Sequence, residues 1–157
     1  MQTKQELENW YSNFDRWGYF HEPDDEIRLQ NILMLLTNYE RALDVGCGEG
    51  FITRHLPAKQ IFGLDISENA TSRLPENVIA INKPEGKYDL VISTGTLYEQ
   101  YNHSHIALLI SESASRHVLI AGIDGWLKSY SFGKVIKEVV FPYRQFKQRI
   151  TLYEVTA

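Results

Sequence analysis

Cysteine is nearly absent from this 157-residue chain, where Cys47 stands alone. That excludes an intramolecular disulfide and any metal site built from several thiolates. An excess of positive charge is also missing: 16 lysines and arginines face 20 aspartates and glutamates, for a net charge of −4. Such a chain has no electrostatic footprint for duplex nucleic acid, and the run Arg144, Lys147, Arg149 is its one modest basic candidate. No apolar stretch approaches the ~20 residues needed to span a bilayer. The opening MQTKQELENWYSNF lacks the apolar core of a secretion signal. Together these absences lead to the expectation of a cytoplasmic protein without a membrane or duplex nucleic-acid partner. Repeats, linkers and low-complexity tracts are missing too, so the chain reads as one domain. Its length leaves no room for a separate substrate domain, and any substrate site must come from the core's own loops and termini.

What is present is an alternation of buried strands and helices. Residues 3–14 suit a short helix. A second helix is expected from about Asp24 to Thr37, with carboxylates at its start, where they suit the helix dipole, and a helical apolar rhythm through Ile27, Ile32 and Leu36. These segments form a helical cap over residues 1–38, and residues 39–157 form the core. From Arg41 the runs ALDVG, QIFGLDI, NVIAI, YDLVIST and HVLIAG read as buried strands. EGFITRHL, SENATSRL (capped by Ser67) and Ser104–Ser115 read as the helices between them. Alternation of this kind gives a parallel sheet covered on both faces. The tail differs, because KVIKEVVF and FKQRITLYEV, joined at Pro142–Arg144, form a terminal β-hairpin.

ALDVGCGEG carries the most chemistry. Gly46 and Gly48 stand where a strand must turn sharply and let a ligand approach its backbone. Asp65 ends the next strand, 19 positions after Gly46, where a carboxylate can accept from both ribose hydroxyls of an adenosine. A dinucleotide fingerprint wants a third small residue at the position of Phe51. The acid Asp44 just before the turn would repel a diphosphate and suits a ligand that carries an ammonium group. Both features favour an amino-acid nucleoside.

LDVGCGEG followed by GLDIS resembles motifs I and II of the class I S-adenosylmethionine-dependent methyltransferases. YDLVIST is similar to that family's fourth strand, and the closing hairpin to its sixth and seventh. The resemblance implies an α/β, Rossmann-like doubly wound sheet of seven strands in the order 3-2-1-4-5-7-6, with strand 7 antiparallel. It also implies S-adenosylmethionine as cofactor and S-adenosylhomocysteine as product. By it, Asp44 would take the methionine ammonium, and the backbone of Gly46, Cys47 and Gly48 would line the methionine and ribose. Asp65 would hold the ribose hydroxyls and Ile66 would pack on adenine. Ser93, Thr94 and Gly95 would lie beside the donor methyl. After strand 3 this chain departs from the family's pattern: the segment INKPEGKYDL puts Asn82 or Lys83 where an acid usually meets the adenine amino group, and it is short for a crossover helix.

Six aromatic residues crowd Trp10–Phe20, as a hydrophobic cap over the sheet or as a lid that excludes water from a methyl transfer. The D-x-W-G pattern at Asp15–Gly18 with L-Y at Leu97–Tyr98 is similar to nodulation-type N-methyltransferases of amino sugars and related small-molecule O-methyltransferases. That likeness implies Trp17, Tyr19 and Tyr98 near the transferred methyl and Arg28 within reach of the methionine carboxylate; a solvated arginine is the alternative. Candidates for a general base are His21, Glu99, His103 and Asp124. His103 and His105 have no third ligand nearby, and a metal site is rejected. Trp126 is either a wall of the site or a core filler. The expected acceptor is a small molecule, an amino sugar or secondary metabolite, methylated on nitrogen or oxygen. A homodimer that completes the site is compatible with the short loop after strand 5. A cofactor-binding scaffold without turnover and an RNA or protein methyltransferase are the rival readings.

Overall fold

The computed structural model describes residues 2–156. Two helices lead in, α1 (Lys4–Trp10) and α2 (Pro23–Leu35). The core then runs β1 (Tyr39–Val45), β2 (Ala58–Leu64), α3 (Glu68–Thr71), β3 (Val78–Ile81), β4 (Tyr88–Thr94), α4 (His103–Ser113), β5 (Ala114–Ile123), β6 (Lys134–Tyr143) and β7 (Phe146–Glu154). One sheet holds all seven strands in the order β3-β2-β1-β4-β5-β7-β6. β1 to β5 pair in parallel, and β7 runs antiparallel to both β5 and β6, as the sequence implies.

Period-2 side-chain alternation sends successive residues of each strand into two separate cores. On one face, Ala42, Leu90, Ile92, Leu119, Ile150 and Leu152 pack under Leu29 and Ile32 of α2. On the other, Leu43, Val45, Val91, Val118 and Ile120 pack under Ala107 and Ile110 of α4. α2 starts cleanly because Pro23 occupies its first turn, where a missing N–H costs nothing, and Asp24, Asp25 and Glu26 complement the helix dipole.

Two elements differ from the sequence expectation. EGFITRHL forms only a single 3-10 turn at Thr53–His55. Gly50 holds φ +84 inside that segment, which interrupts helical geometry, and Pro57 precedes β2 directly. The first helix stops at Trp10, since Tyr11 turns inward and is buried. No helix links β3 to β4, in keeping with the short segment that the sequence places there. Arg41 fastens that crossover instead, donating to the carbonyls of Lys87 (2.6 Å) and Glu85 (3.0 Å) while its guanidinium stacks on Tyr88.

A buried ionic hub joins α2 to the distant hairpin. Asp25 is fully buried and accepts from Arg28 Nε (3.2 Å), Arg144 Nη2 (2.6 Å) and the Tyr143 hydroxyl (2.6 Å). Removing one partner of such a buried set leaves uncompensated charge. Asp25→Ala is therefore expected to lower unfolding free energy by ~3–5 kcal/mol, measured by urea denaturation. A loss within that of an ordinary surface substitution would contradict the hub's role.

Candidate cofactor and acceptor site

The parallel strands β1, β2, β4 and β5 all end at the same edge of the sheet, and their loops enclose a cavity of about 610 Å³. That lies within the ~300–1,000 Å³ typical of small-molecule sites. Trp17, Arg28, Asp44 and the turn Gly46–Gly48 line it. So do Asp65, Ile66 and Asn82 from the β2 and β3 ends, and Thr94, Gly95 and Tyr98 from the β4 end.

The glycine turn is wired in a way that bears on its ligand. Gly46 and Gly48 adopt φ +81 and +56. A Cβ on Gly46 would stand 2.5 Å from Thr96 Cγ2, so no other residue fits without displacement. The amides of Gly46 and Cys47 both donate to the Leu64 carbonyl (2.7 and 3.1 Å), and that of Gly48 donates to Asp65 Oδ2 (2.8 Å). The turn therefore contributes shape and carbonyl oxygens, while the N–H groups that would cradle a phosphate are already committed. Backbone donation to a ligand, one sense in which the sequence suggests these residues would act, is not available at any of the three.

Two buried carboxylates supply the charge. Asp44 Oδ2 accepts from Thr53 Oγ1 (2.7 Å), whereas Oδ1 is buried without a hydrogen-bond partner. Burial, aided by the nearby charge of Asp65, pushes the Asp44 pKa up to about 7 against the Thr53 hydrogen bond. Asp65 Oδ1 accepts from Ser67 N–H (2.9 Å), and each of its oxygens keeps a further lone pair. Burial raises its pKa as well, opposed by its backbone hydrogen bonds. An orphaned carboxylate oxygen is satisfied by an ammonium group, and a carboxylate with spare acceptor capacity by a diol. The donor set fits an aminoacyl nucleoside.

The N-terminal segment straps across this cavity. Gln2 N–H bonds to the Gln100 carbonyl after β4. Glu8 reaches the opposite rim, where its carboxylate accepts from Ser67 Oγ (3.0 Å), Glu68 N–H (2.9 Å) and Asn69 N–H (2.7 Å). Those bonds hold the Glu8 carboxyl below its usual pKa. Farther on, the Tyr11 hydroxyl lies over Gly48 and accepts from Trp17 Nε1 (2.8 Å). Buried Glu49 takes the Asp15 amide (2.9 Å) and pairs with Arg73 (2.9 Å). Phe51, at the position where a dinucleotide site wants a small residue, packs edge-on against Phe20 at 5.1 Å and so anchors the strap.

Several candidate residues lie elsewhere. His21 is exposed beside Asp15 (3.3 Å), outside the cavity lining. His103 bonds the Tyr130 hydroxyl (2.6 Å) and faces a separate surface depression. Glu99 pairs with Lys128 and Asp124 with Arg149. Ser93 is also displaced from the role suggested for it: its Oγ donates to the Val45 carbonyl (2.6 Å) and bonds Thr96 Oγ1, tying β1 to β4. Tyr98 does line the cavity, but burial pushes its pKa up to about 12, so it keeps its proton at neutral pH. Its oxygen accepts from Ile123 N–H (2.7 Å), which leaves the hydroxyl proton free to donate.

The sequence reading missed the contribution of the hairpin. Tyr143, Arg144, Phe146 and Gln148 reach the cavity from β6 and β7. A signal existed for Gln148, which shares strand parity with the buried Ile150 and Leu152.

Comparison with known proteins agrees with this architecture. Residues 43–113 match a family model described as a methyltransferase domain. The N-methyltransferase NodS from Bradyrhizobium japonicum WM9, solved with S-adenosyl-L-homocysteine, superposes with a TM-score of 0.80 over 100% of both chains at 13% identity. The magnesium protoporphyrin IX methyltransferase ChlM from Synechocystis PCC 6803, with bound S-adenosylmethionine, gives 0.73 at 15% identity, covering 98% of this chain and 97% of that one. A curated sequence relative, the mitochondrial arginine-hydroxylase NDUFAF5 of Rattus norvegicus, is 27% identical over 113 residues, 62% of this chain and 33% of the relative. The chain thus spans about a third of that relative's length. Residues 43–113 thus carry a methyltransferase-domain match on a Rossmann-like sheet, and the glycine motif that opens it resembles that of class I S-adenosylmethionine-dependent methyltransferases.

Because Asp44 is raised in the folded protein, the folded state binds a proton that the unfolded chain has released above ~3.9. Its contribution favours folding at low pH and is lost as pH rises through about 7. Asp44→Asn lacks this penalty. Its unfolding free energy relative to wild type is expected to improve from about pH 5 to about pH 8, read from urea titrations without ligand. A difference that does not vary with pH would contradict the buried, unpaired carboxylate.

Proposed function

We propose that this protein transfers the methyl group of S-adenosylmethionine to a nitrogen or oxygen atom of a small-molecule acceptor. The observation that carries the reading is the pair of buried carboxylates in one cavity. Asp44 offers an orphaned oxygen suited to the methionine ammonium, and Asp65 offers spare acceptor positions suited to the ribose hydroxyls. Arg28, buried but in the cavity wall, is the partner we assign to the methionine carboxylate. Ile66 and Asn82 lie at the adenine end of the same scheme.

When bound, the cofactor supplies an electrophilic methyl carbon on a sulfonium. The residues of this chain contribute placement and dryness, which count heavily in an in-line displacement. Trp17 and Tyr19 stack at 6.3 Å beneath the strap and offer π faces that favour a cation. Gly95, with φ +67, leaves the β4 end open beside Tyr98. The acidic composition and the enclosed aromatic cavity support a small molecule over a nucleic-acid acceptor.

Calorimetry with S-adenosylhomocysteine tests this directly. Wild type is expected to bind, and Asp65→Ala to bind at least about tenfold more weakly, since a hydrogen bond to a charged group contributes ~1.5–3 kcal/mol. Equal heats from both proteins, or none from wild type, would reject the assignment. Binding without transfer of labelled methyl to any acceptor class would instead favour a non-catalytic binding protein.

A further inference from the structure

Both arginines of the buried hub also line the cavity. Arg28 bonds Asp25 through Nε alone, and its terminal nitrogens have no partner among the described residues without being sealed from solvent. Arg144 commits Nη2 to Asp25 Oδ2 (2.6 Å) and to the Trp17 carbonyl (3.0 Å). Its Nε and Nη1 make no hydrogen bond to the described residues, and its side chain is 34% exposed. Two guanidiniums thus share the single carboxylate of Asp25, which leaves the set with a net positive charge. Asp24, the next carboxylate along, takes the backbone N–H of Arg144 and forms no ion pair with its guanidinium. The turn that presents Arg144 is a strained one, since this residue holds φ +51, a region that glycine or asparagine occupies at lower cost.

Charge is segregated along the cavity. Its lining carboxylates, Asp44, Glu49 and Asp65, come from β1 and from the loops after β1 and β2, and Glu49 is already paired with Arg73. His105 lines it from the first turn of α4. The opposite wall is built by the end of β5, the loop after it and the β6–β7 hairpin, and there Arg144 is the charged lining residue. The same wall carries Trp126 and Phe146, whose rings lie 5.0 Å apart and stay 47% and 37% exposed. One unsaturated cation beside two uncovered aromatic faces is a recognition surface of definite chemistry.

We propose that the acceptor is a small aromatic acid, whose carboxylate pairs with Arg144 at the hairpin end of the cavity while its ring lies against Trp126 and Phe146. The proposal rests on the methyltransferase reading above, in which Arg28 takes the methionine carboxylate and Arg144 has no assigned ligand. A guanidinium with N–H donors to spare forms charge-assisted hydrogen bonds to a carboxylate, roughly twice as strong as neutral ones. A neutral acceptor would leave those donors unpaired once the filled cavity excludes water. A cationic acceptor, such as a protonated amine, would meet both Arg144 and the sulfonium of the cofactor in one enclosed space, and like charges so placed repel. An acid relieves both problems, and its ring covers the exposed aromatic faces.

Calorimetry on the protein loaded with S-adenosylhomocysteine tests the idea with three probes that share one ring: 4-hydroxyphenylacetate, its amide, and tyramine. At pH 7 the first is an anion, the second neutral and the third a cation. The acid is expected to saturate the site and to bind at least about tenfold more tightly than the amide, with tyramine weaker still. The preference for the acid should shrink as salt is added, because Arg144 is partly exposed. Arg144→Gln should abolish the preference and leave S-adenosylhomocysteine affinity within about threefold. The comparison of probes on the unaltered protein holds even where loss of an Asp25 partner unfolds that variant. An acid that does not bind, an acid that binds no better than the amide or tyramine, or a preference that survives in folded Arg144→Gln would each overturn the proposal. So would a loss of S-adenosylhomocysteine affinity in folded Arg144→Gln, which would assign Arg144 to the cofactor. Failure of wild type to bind S-adenosylhomocysteine at all would instead remove the methyltransferase reading underneath.

Discussion

Holding a carboxylate away from water is expensive unless something pairs with it, and this protein does so twice in one cavity. Asp44 and Asp65 come from neighbouring strands, and the glycine turn packs between them. Their cost shapes what surrounds them. Thr53 is drawn in to satisfy one oxygen of Asp44, and the Gly48 and Ser67 amides to satisfy Asp65. Once the turn has given its amides to Leu64 and Asp65, it has none left for an anion. The same backbone bend that serves phosphates in other doubly wound proteins here favours a cationic, diol-bearing ligand.

A second buried charge ties remote parts of the chain to that cavity. Asp25 belongs to α2, but two of its partners, Tyr143 and Arg144, sit at the β6–β7 turn. Arg144 adopts φ +51 there, and its backbone N–H reaches Asp24 (2.5 Å). The hub fixes Arg28 against Tyr19 at 4.8 Å on one side and the hairpin carrying Phe146 and Gln148 on the other. The α2 and hairpin walls of the cavity thereby share one support.

How much of this was legible beforehand follows from the range of each signal. The strands themselves could be read because buried runs declare themselves by composition, whereas their order and the antiparallel β7 were implied only by the resemblance of the glycine motif and its neighbours to a known family. Asp44 and Asp65 were legible for the same local reason. EGFITRHL misled because its composition suits a helix, whereas the conformation demanded of Gly50 and the nearness of Pro57 allow a single turn. His21 and His103 were plausible bases by residue type alone; their actual neighbours, Asp15 and Tyr130, lie at separations or angles that composition does not encode. The hairpin's share of the site was hidden because Arg144 and Gln148 meet α2 and β5 across more than a hundred and about twenty-five positions respectively.

The strap from Gln2 to Asp15 has a dynamic consequence. It is fastened at both rims, by Gln100 on one and by Ser67–Asn69 on the other, and weighted in the middle by Tyr11. It crosses the rim of the cavity between those two fastenings. Its bonds are exposed or part-buried at the Glu8 end and part-buried at Glu49, so both ends of the strap rest on bonds that solvent can reach or nearly reach. A segment fastened over a cavity mouth sets the rate at which that cavity exchanges its contents.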